Sequence, residues 1–328
     1  MFDRFLKNPI NFVGRIKTYL IISCAVFLVG IIVQAFFGIE LSIEYKGGTI
    51  IHYSFEGELD AKDADAAIQD AIGMPVKTDI STDITRQNRF LVVSLVENKA
   101  LGMDTISEIT SALTEKFPDS NIKNEDQSSV SPSIGAAFLA KSVFVVFLAM
   151  VCVIVYVGIR FRKIGGTSAG VMAMVALIHD MIAVYFVFVI FRIPIDDNFI
   201  AVLLTILGYS LNDTIVIYDR IREDQQKYGA KMSIRELTNN SINRTLGRTL
   251  NTAFATFFAI ITVLVVAYVC GLSSIISFAL PMSIGVISGS YSTICIAGPL
   301  WVAWKEYRAG KTPKSKKGAP ARKPQKAR

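Results

Sequence analysis

Two carboxylates interrupt long apolar stretches of this chain: Asp180, directly after His179, and Asp213. Holding an ionisable side chain inside a bilayer costs about 2.5–3.5 kcal/mol on insertion scales, so each needs a reason. Asp213 shares a helical spacing with Thr205, Tyr209 and Asn212, and Thr214 follows it. Positions at i, i+4, i+7 and i+8 give one polar stripe that must face protein or water. A matching stripe of Thr245, Thr249, Thr252 and Thr256 lies further on, with Arg248 inside it. A carboxylate opposed to an arginine across hydroxyls has the chemistry of a proton switch: the ion pair holds one packing, and protonation releases it. Each residue also has a plainer reading. Asp213 would then be an interhelical hydrogen-bonding group, Arg248 one more basic residue at a membrane edge, and His179 with Asp180 a mutually satisfied pair sealing a helix contact. If His179 and Asp180 are functional instead, burial raises the aspartate toward a range useful for proton transfer.

Such residues need a membrane around them. The chain has 328 residues, of which 52% are hydrophobic and 19% charged, too apolar for an ordinary soluble protein. A bilayer core about 30 Å thick takes roughly 20 apolar helical residues per crossing. Six runs qualify: 19–39, 142–159, 167–191, 199–218, 250–270 and 275–304. Asp213 then lies about 7 Å inside one end of the fourth run. The fourth and fifth runs cross in opposite directions, so Arg248 starts near the depth at which Asp213 ends. The expected fold is an α-helical polytopic membrane protein of six transmembrane helices, with an α+β ferredoxin-like extracytoplasmic domain between helices 1 and 2. Gly285 and Gly289 form a GxxxG spacing in the last run, with Ser283, Ser288, Ser290 and Ser292 close by. These small residues read as helix packing.

Lysine and arginine set the orientation, because short basic segments stay on the cytoplasmic side. Residues 1–18, 160–167, 218–250 and 305–328 hold 24 of the 34 basic residues, whereas residues 40–135 hold 17 acidic against 8 basic. Both termini are therefore expected in the cytoplasm and 40–135 outside. The segments are 1–18, a cytoplasmic lead; 19–39, the first helix, read as a retained anchor; 40–135, the outer domain; 136–304, helices 2–6 with a cytoplasmic loop 219–248; and 305–328, a basic tail expected to be disordered and to meet anionic lipid.

Within 40–135 the pattern reads β (Leu41–Phe55), α (Asp60–Ile72, capped by Asp60 and stopped at Gly73), β (Val76–Thr85), β (Arg89–Glu97), α (Met103–Phe117) and a weak strand near Ile122, with a polar turn at 86–88. That order, βαββαβ, is the ferredoxin-like one. The four cysteines lie in or beside apolar runs and there are two histidines, so neither a disulfide framework nor a metal centre is expected. No phosphate-cradling loop, activated nucleophile or HExxH is present, which disfavours an enzyme and any cofactor.

The stretch Gly208-Tyr-Ser-Leu-Asn-Asp-Thr-Ile-Val-Ile-Tyr-Asp-Arg-Ile-Arg-Glu223 resembles the fourth-helix signature of the SecF family, the smaller half of the bacterial SecD/SecF export accessory in the resistance-nodulation-division superfamily. Ser241-Ile-Asn-Arg-Thr-Leu-Gly-Arg-Thr-Leu-Asn-Thr252 and Ala176-Leu-Ile-His-Asp180 are similar to that family's segments at the fifth and third helices. Glu44-Tyr-Lys-Gly-Gly-Thr49 stands where the family usually has Asp-Phe-x-Gly-Gly-Thr, Ser131-Pro132 where many relatives have Gly-Pro, and Arg244 where a neutral residue is common.

The resemblance implies a bacterial inner-membrane subunit that works with SecD at the SecYEG channel, using the proton-motive force to complete preprotein movement, with Asp213 carrying protons and Arg248 coupled to it. YajC or YidC are further expected contacts, unfolded preprotein the cargo, and nucleic acid is not a partner. Two rivals remain: half of a lipid or drug exporter of the same superfamily, and a passive assembly scaffold in which the polar stripe is only glue.

Overall fold

The structure, a computed structural model, describes residues 9–82, 89–95, 102–130, 132–162, 166–229 and 231–311. The expected turn at 86–88, Ser131, the first eight residues and the tail from 312 onward lie outside the described residues.

Among the described residues, six helices are long and apolar enough to cross a membrane. They are α1 (Ile16–Phe37), α5 (Pro132–Arg160), α6 (Gly166–Ile190), α7 (Asp197–Tyr228), α8 (Ile234–Val269) and a last crossing made of α9 (Ser273–Ser292), a π-helical stretch (Thr293–Ala297) and α10 (Gly298–Lys311). Burial divides them. The most apolar windows of the third, fourth and sixth crossings are 50%, 44% and 44% buried, those of the first, second and fifth only 11%. The inner three form the core, where Val184, Val202, Ile206 and Val286 pack together.

The segment 219–248 is helical almost throughout. The fourth crossing continues to Tyr228 and the fifth begins at Ile234, where Ser233 and Glu236 form a capping box. Ion pairs support these extensions: Asp224, 3% exposed, accepts from Ser241 Oγ at 2.8 Å and Arg244 Nη1 at 3.1 Å. Arg160 and Arg222 pair with Asp219. Once paired, these charges no longer mark a loop.

Between α1 and α5 stands the α+β domain. Its sheet is antiparallel in the order β2 (Val76–Thr82), β3 (Arg89–Leu95), β1 (Gly48–Phe55), β4 (Lys123–Val130), with α3 (Ala61–Ile72) and α4 (Met103–Lys116) packed on it. Alternation explains the two layers: Ile51, Tyr53, Leu91, Val93 and Leu95 point inward and meet Ala64, Ile68, Ile109 and Leu113. Asp60 caps α3 by accepting from Lys62 N–H at 2.8 Å, and Gly73 ends it in the left-handed conformation.

One boundary differs from the sequence reading. Leu41–Phe55 is not one strand, because Ile43–Lys46 forms a helical turn, α2. Ser42 caps that turn, and Gly47 and Gly48 leave it with φ of 83° and 142°. A side chain at Gly48 would collide with the Leu95 carbonyl, and one at Gly135 would lie 2.8 Å from the Tyr45 carbonyl, so close backbone approach demands both glycines.

That turn moors the domain to the helix bundle. Ile195, in the link between α6 and α7, accepts from Ser42 N–H at 3.0 Å and donates its own N–H to Glu40 O at 2.8 Å. Tyr45 OH donates to the Asp196 carbonyl at 3.2 Å, and Glu40 pairs with both Arg192 and Lys77. Burial holds the Glu44 carboxyl above its ordinary range, helped by Asp197 and Asp196, and burial also raises Asp196. A raised carboxyl favours the docked arrangement while protonated, and that contribution is lost as pH rises through its folded-state value.

Candidate functional site

Asp213 sits on α7 and is 4% exposed. Its Oδ2 is buried with no hydrogen-bond partner, as are the hydroxyls of Tyr209, one turn back on α7, and Thr249 on α8. Tyr209 lies beside Ser290 and Thr256 without reaching hydrogen-bond geometry. Buried polar atoms without partners are costly in a membrane, where no water compensates them. Thr205 and Asn212, expected on the same face, are exposed on the bundle surface, and Thr205 bonds only the Ala201 carbonyl of its own helix. Thr214 turns to the sixth crossing, where it meets Thr293 Oγ1 at 3.1 Å.

Arg248 is exposed on α8 and lies close enough to act electrostatically on Asp213, but no ion pair or hydrogen bond joins the two among the described residues. It lines a cleft of about 690 Å³ together with Asp219, Arg220, Glu223, Arg244 and Thr245, at the end of the bundle away from the α+β domain. Thr252 bonds the Arg248 carbonyl of its own helix, and Thr245 likewise bonds back to Ser241 and Ile242. The fifth helix therefore brings Arg248 near Asp213 without pairing with it.

Asp180 has the opposite surroundings. It is fully buried and accepts hydrogen bonds from Ser210 Oγ of α7 at 2.7 Å and from Ser288 Oγ and Ser292 Oγ of α9 at 2.8 and 2.6 Å. His179 Nδ1 lies 3.2 Å away. All the acceptor capacity of a carboxylate is thus engaged. Ser288 and Ser292 were expected to serve packing alone, yet both point at Asp180; their i, i+4 spacing at the depth of a buried carboxylate was the available signal. Ser210 is three residues before Asp213, so α7 carries a ligand of one carboxylate and the other carboxylate itself.

Gly285 and Gly289, on the same helix as Ser288 and Ser292, face the fourth crossing. A Cβ at Gly285 would lie 2.7 Å from Ile206 Cδ1, and one at Gly289 would lie 3.2 Å from Ser210 Cβ. Close approach of α9 to α7 is what brings Ser288 and Ser292 within reach of Asp180. Among the described residues no group of three or more His, Cys, Asp or Glu side chains is placed to hold a metal ion.

Comparison with known proteins gives the family. Residues 108–307 match the family described as protein export membrane protein SecD/SecF, C-terminal. The chain is 33% identical over 318 residues to protein translocase subunit SecF of Alicyclobacillus acidocaldarius, covering 96% of this chain and 99% of that one. It is 32% identical over 304 residues to SecF of Petrotoga mobilis, covering 91% and 97%. It is also 30% identical over 296 residues to SecDF of Bacillus subtilis, where it covers 90% of this chain but 38% of the longer protein. The crystal structure of a Thermus SecDF, described as a translocon-associated membrane protein, superposes with a TM-score of 0.75 at 28% identity, covering 91% of this chain and 39% of that one. With a match over most of its length, six membrane-crossing helices and an α+β domain after the first, this chain belongs to the SecF family of protein translocase subunits.

Proposed function

We propose that this subunit pairs with SecD and converts the proton-motive force into completion of preprotein transfer through the SecYEG channel, with Asp213 carrying the proton and Arg248 responding to its charge. The observation that carries the reading is the unpaired, buried Oδ2 of Asp213 within electrostatic reach of Arg248, which itself lines an open cleft. A structural carboxylate is saturated, as Asp180 is; one that must bind and release a proton is left with a free oxygen and a movable cation nearby. Moving one charge across 100 mV supplies about 2.3 kcal/mol, enough to bias two packings of a helix bundle. Pairing with SecD is supported by relatives in which the matching region is part of a SecDF chain. YajC or YidC would be accessory contacts.

The reading places the protein in the bacterial cytoplasmic membrane with both termini in the cytoplasm and residues 40–135 outside. In a background lacking the four native cysteines, single cysteines at positions 70 and 104 should label from outside and one at 231 only from inside. Labelling of position 231 from outside would reverse the topology.

The functional test uses inverted membrane vesicles containing this chain, SecD and the channel, with a preprotein stalled part-way. Completion should depend on the gradient and fall with a protonophore to the level of vesicles without this chain. Equal completion with and without the protonophore would overturn the reading.

A further inference from the structure

Where α5 and α6 meet, at the end of the bundle away from the α+β domain, a groove of about 810 Å³ opens between them. Glycine makes it. A Cβ at Gly158 would have nothing within 4 Å, and one at Gly170 would find its nearest neighbour in the Gly158 backbone, at 3.6 Å. The two helices therefore approach backbone to backbone, and the missing side chains leave a hollow over the contact. Its walls include Val155 and Ile159 of α5 and Val171 of α6, which are 55%, 65% and 50% exposed and so face lipid.

Arg162 and Thr167 line the groove beside the link between the two helices. Arg160 is committed to Asp219 at 2.9 Å, whereas among the described residues Arg162 has neither an ion pair nor a hydrogen bond. Gly158 precedes Arg162 by about one helical turn, so the charge stands at the membrane edge and the apolar walls run inward from it. Charge and hydrocarbon follow one another along the groove in the order of a phospholipid's headgroup and chain. The walls alone select nothing, because lipid tails are as apolar as valine and isoleucine. The unpaired guanidinium does select: its parallel N–H donors match a phosphate, and its charge favours a headgroup of net negative charge.

A protein helix suits the groove less well. An α-helix is about 10–12 Å across, so a hollow of this volume takes in under about two turns of one, whereas an acyl chain is thin enough to lie along it. The exposed polar side chains that a partner subunit has to satisfy, Thr205 and Asn212 of α7 and Arg248 of α8, are on other helices.

We infer that the groove between α5 and α6 retains one anionic phospholipid, its phosphate on Arg162 and Thr167 and an acyl chain lying over Gly158 and Gly170. The chain supplies the packing that the glycines leave out, and so ties α5, one of the least buried crossings, to the well-packed α6. The inference requires a bilayer around the helices and nothing of the proton-driven reading.

The test is photolabelling in phosphatidylcholine vesicles that hold the full-length chain with SecD. Two trace probes carry the same diazirine-bearing acyl chain, one on phosphatidylglycerol and one on phosphatidylcholine. Residues 154–159 should label about fivefold more with the phosphatidylglycerol probe, the weight of one basic residue near an anionic headgroup. Phe144, Phe147 and Leu148, exposed on the same helix nearer the α+β domain, should label equally with both. Arg162→Gln should bring the ratio at the groove to one, and Gly158→Leu, whose Cβ has open space, should reduce labelling there by either probe. Equal labelling by the two probes in the parent overturns the inference and leaves ordinary surrounding lipid. So does a ratio that survives Arg162→Gln, undiminished labelling in a folded Gly158→Leu, or a groove that instead cross-links to SecD through a cysteine at position 159. If Gly158→Leu does not fold, the parent ratio and Arg162→Gln, a change at an exposed and unpaired side chain, decide.

Discussion

Replacing Asp213 by Asn is expected to give a complex that assembles normally and no longer uses the gradient, with completion of a stalled preprotein falling to the level seen with a protonophore. The expectation follows from what Asn keeps and loses. It has the same size and keeps hydrogen-bonding capacity, but it cannot titrate. Because Asp213 Oδ2 has no partner in the structure, the substitution breaks no hydrogen bond made through that atom, and folding should be indifferent or slightly improved. Arg248→Met should impair the same step while leaving the yield of complex unchanged. The comparison of assembly with activity is what separates a proton carrier from a scaffold. Gradient-dependent completion that survives in a stably assembled Asp213→Asn complex would exclude Asp213 as the carrier.

Asp180→Ala should do the reverse: the protein should be lost before activity can be asked about. Removing that carboxylate leaves Ser210, Ser288, Ser292 and His179 without their acceptor in the middle of the bundle. Each buried hydrogen-bonding group left unsatisfied costs about 1–3 kcal/mol, so losing the shared acceptor of several at once removes a large share of the stability of an ordinary domain. The measurement is the fraction of monodisperse protein recovered in mild detergent and its thermal midpoint. Asp180→Asn, which keeps one acceptor oxygen, should fall between parent and Ala. Parent-like stability of Asp180→Ala would show that the serines satisfy one another and that the carboxylate is not a structural centre.

The contrast between the two carboxylates was only half legible in the sequence. Both announce themselves as ionisable groups in apolar runs, and helical spacing correctly sets Tyr209 beside Asp213. Spacing alone does not say which side of a stripe is covered, so Thr205 and Asn212 were grouped with Asp213 although they face out. Nor does it show which serines on another helix point at a given carboxylate; Ser288 and Ser292 carry the same small-residue signature whether they pack or bind. The α+β domain was far more readable. Strand alternation and a capped amphipathic helix are local properties, and the order of elements followed from them. The turn at Ile43–Lys46 escaped because its cause is distant: it is held by Ile195 and Tyr45 contacts across some 150 residues of sequence.

The mooring at Ile195 has a mechanical consequence. The α+β domain is supported at three places: it follows α1, it runs into α5, and it is pinned at the link between α6 and α7. The two legs are the loosely embedded helices, each about a tenth buried over its apolar window, while the pin belongs to two of the three most deeply packed. A body on two compliant legs and one stiff pivot swings about the pivot. A tilt of the domain would therefore displace α1 and α5, which give up little packing within this chain, and leave the contacts among α6, α7 and α9 intact. The stiff core serves as the frame, and two of the three least buried crossings serve as its suspension.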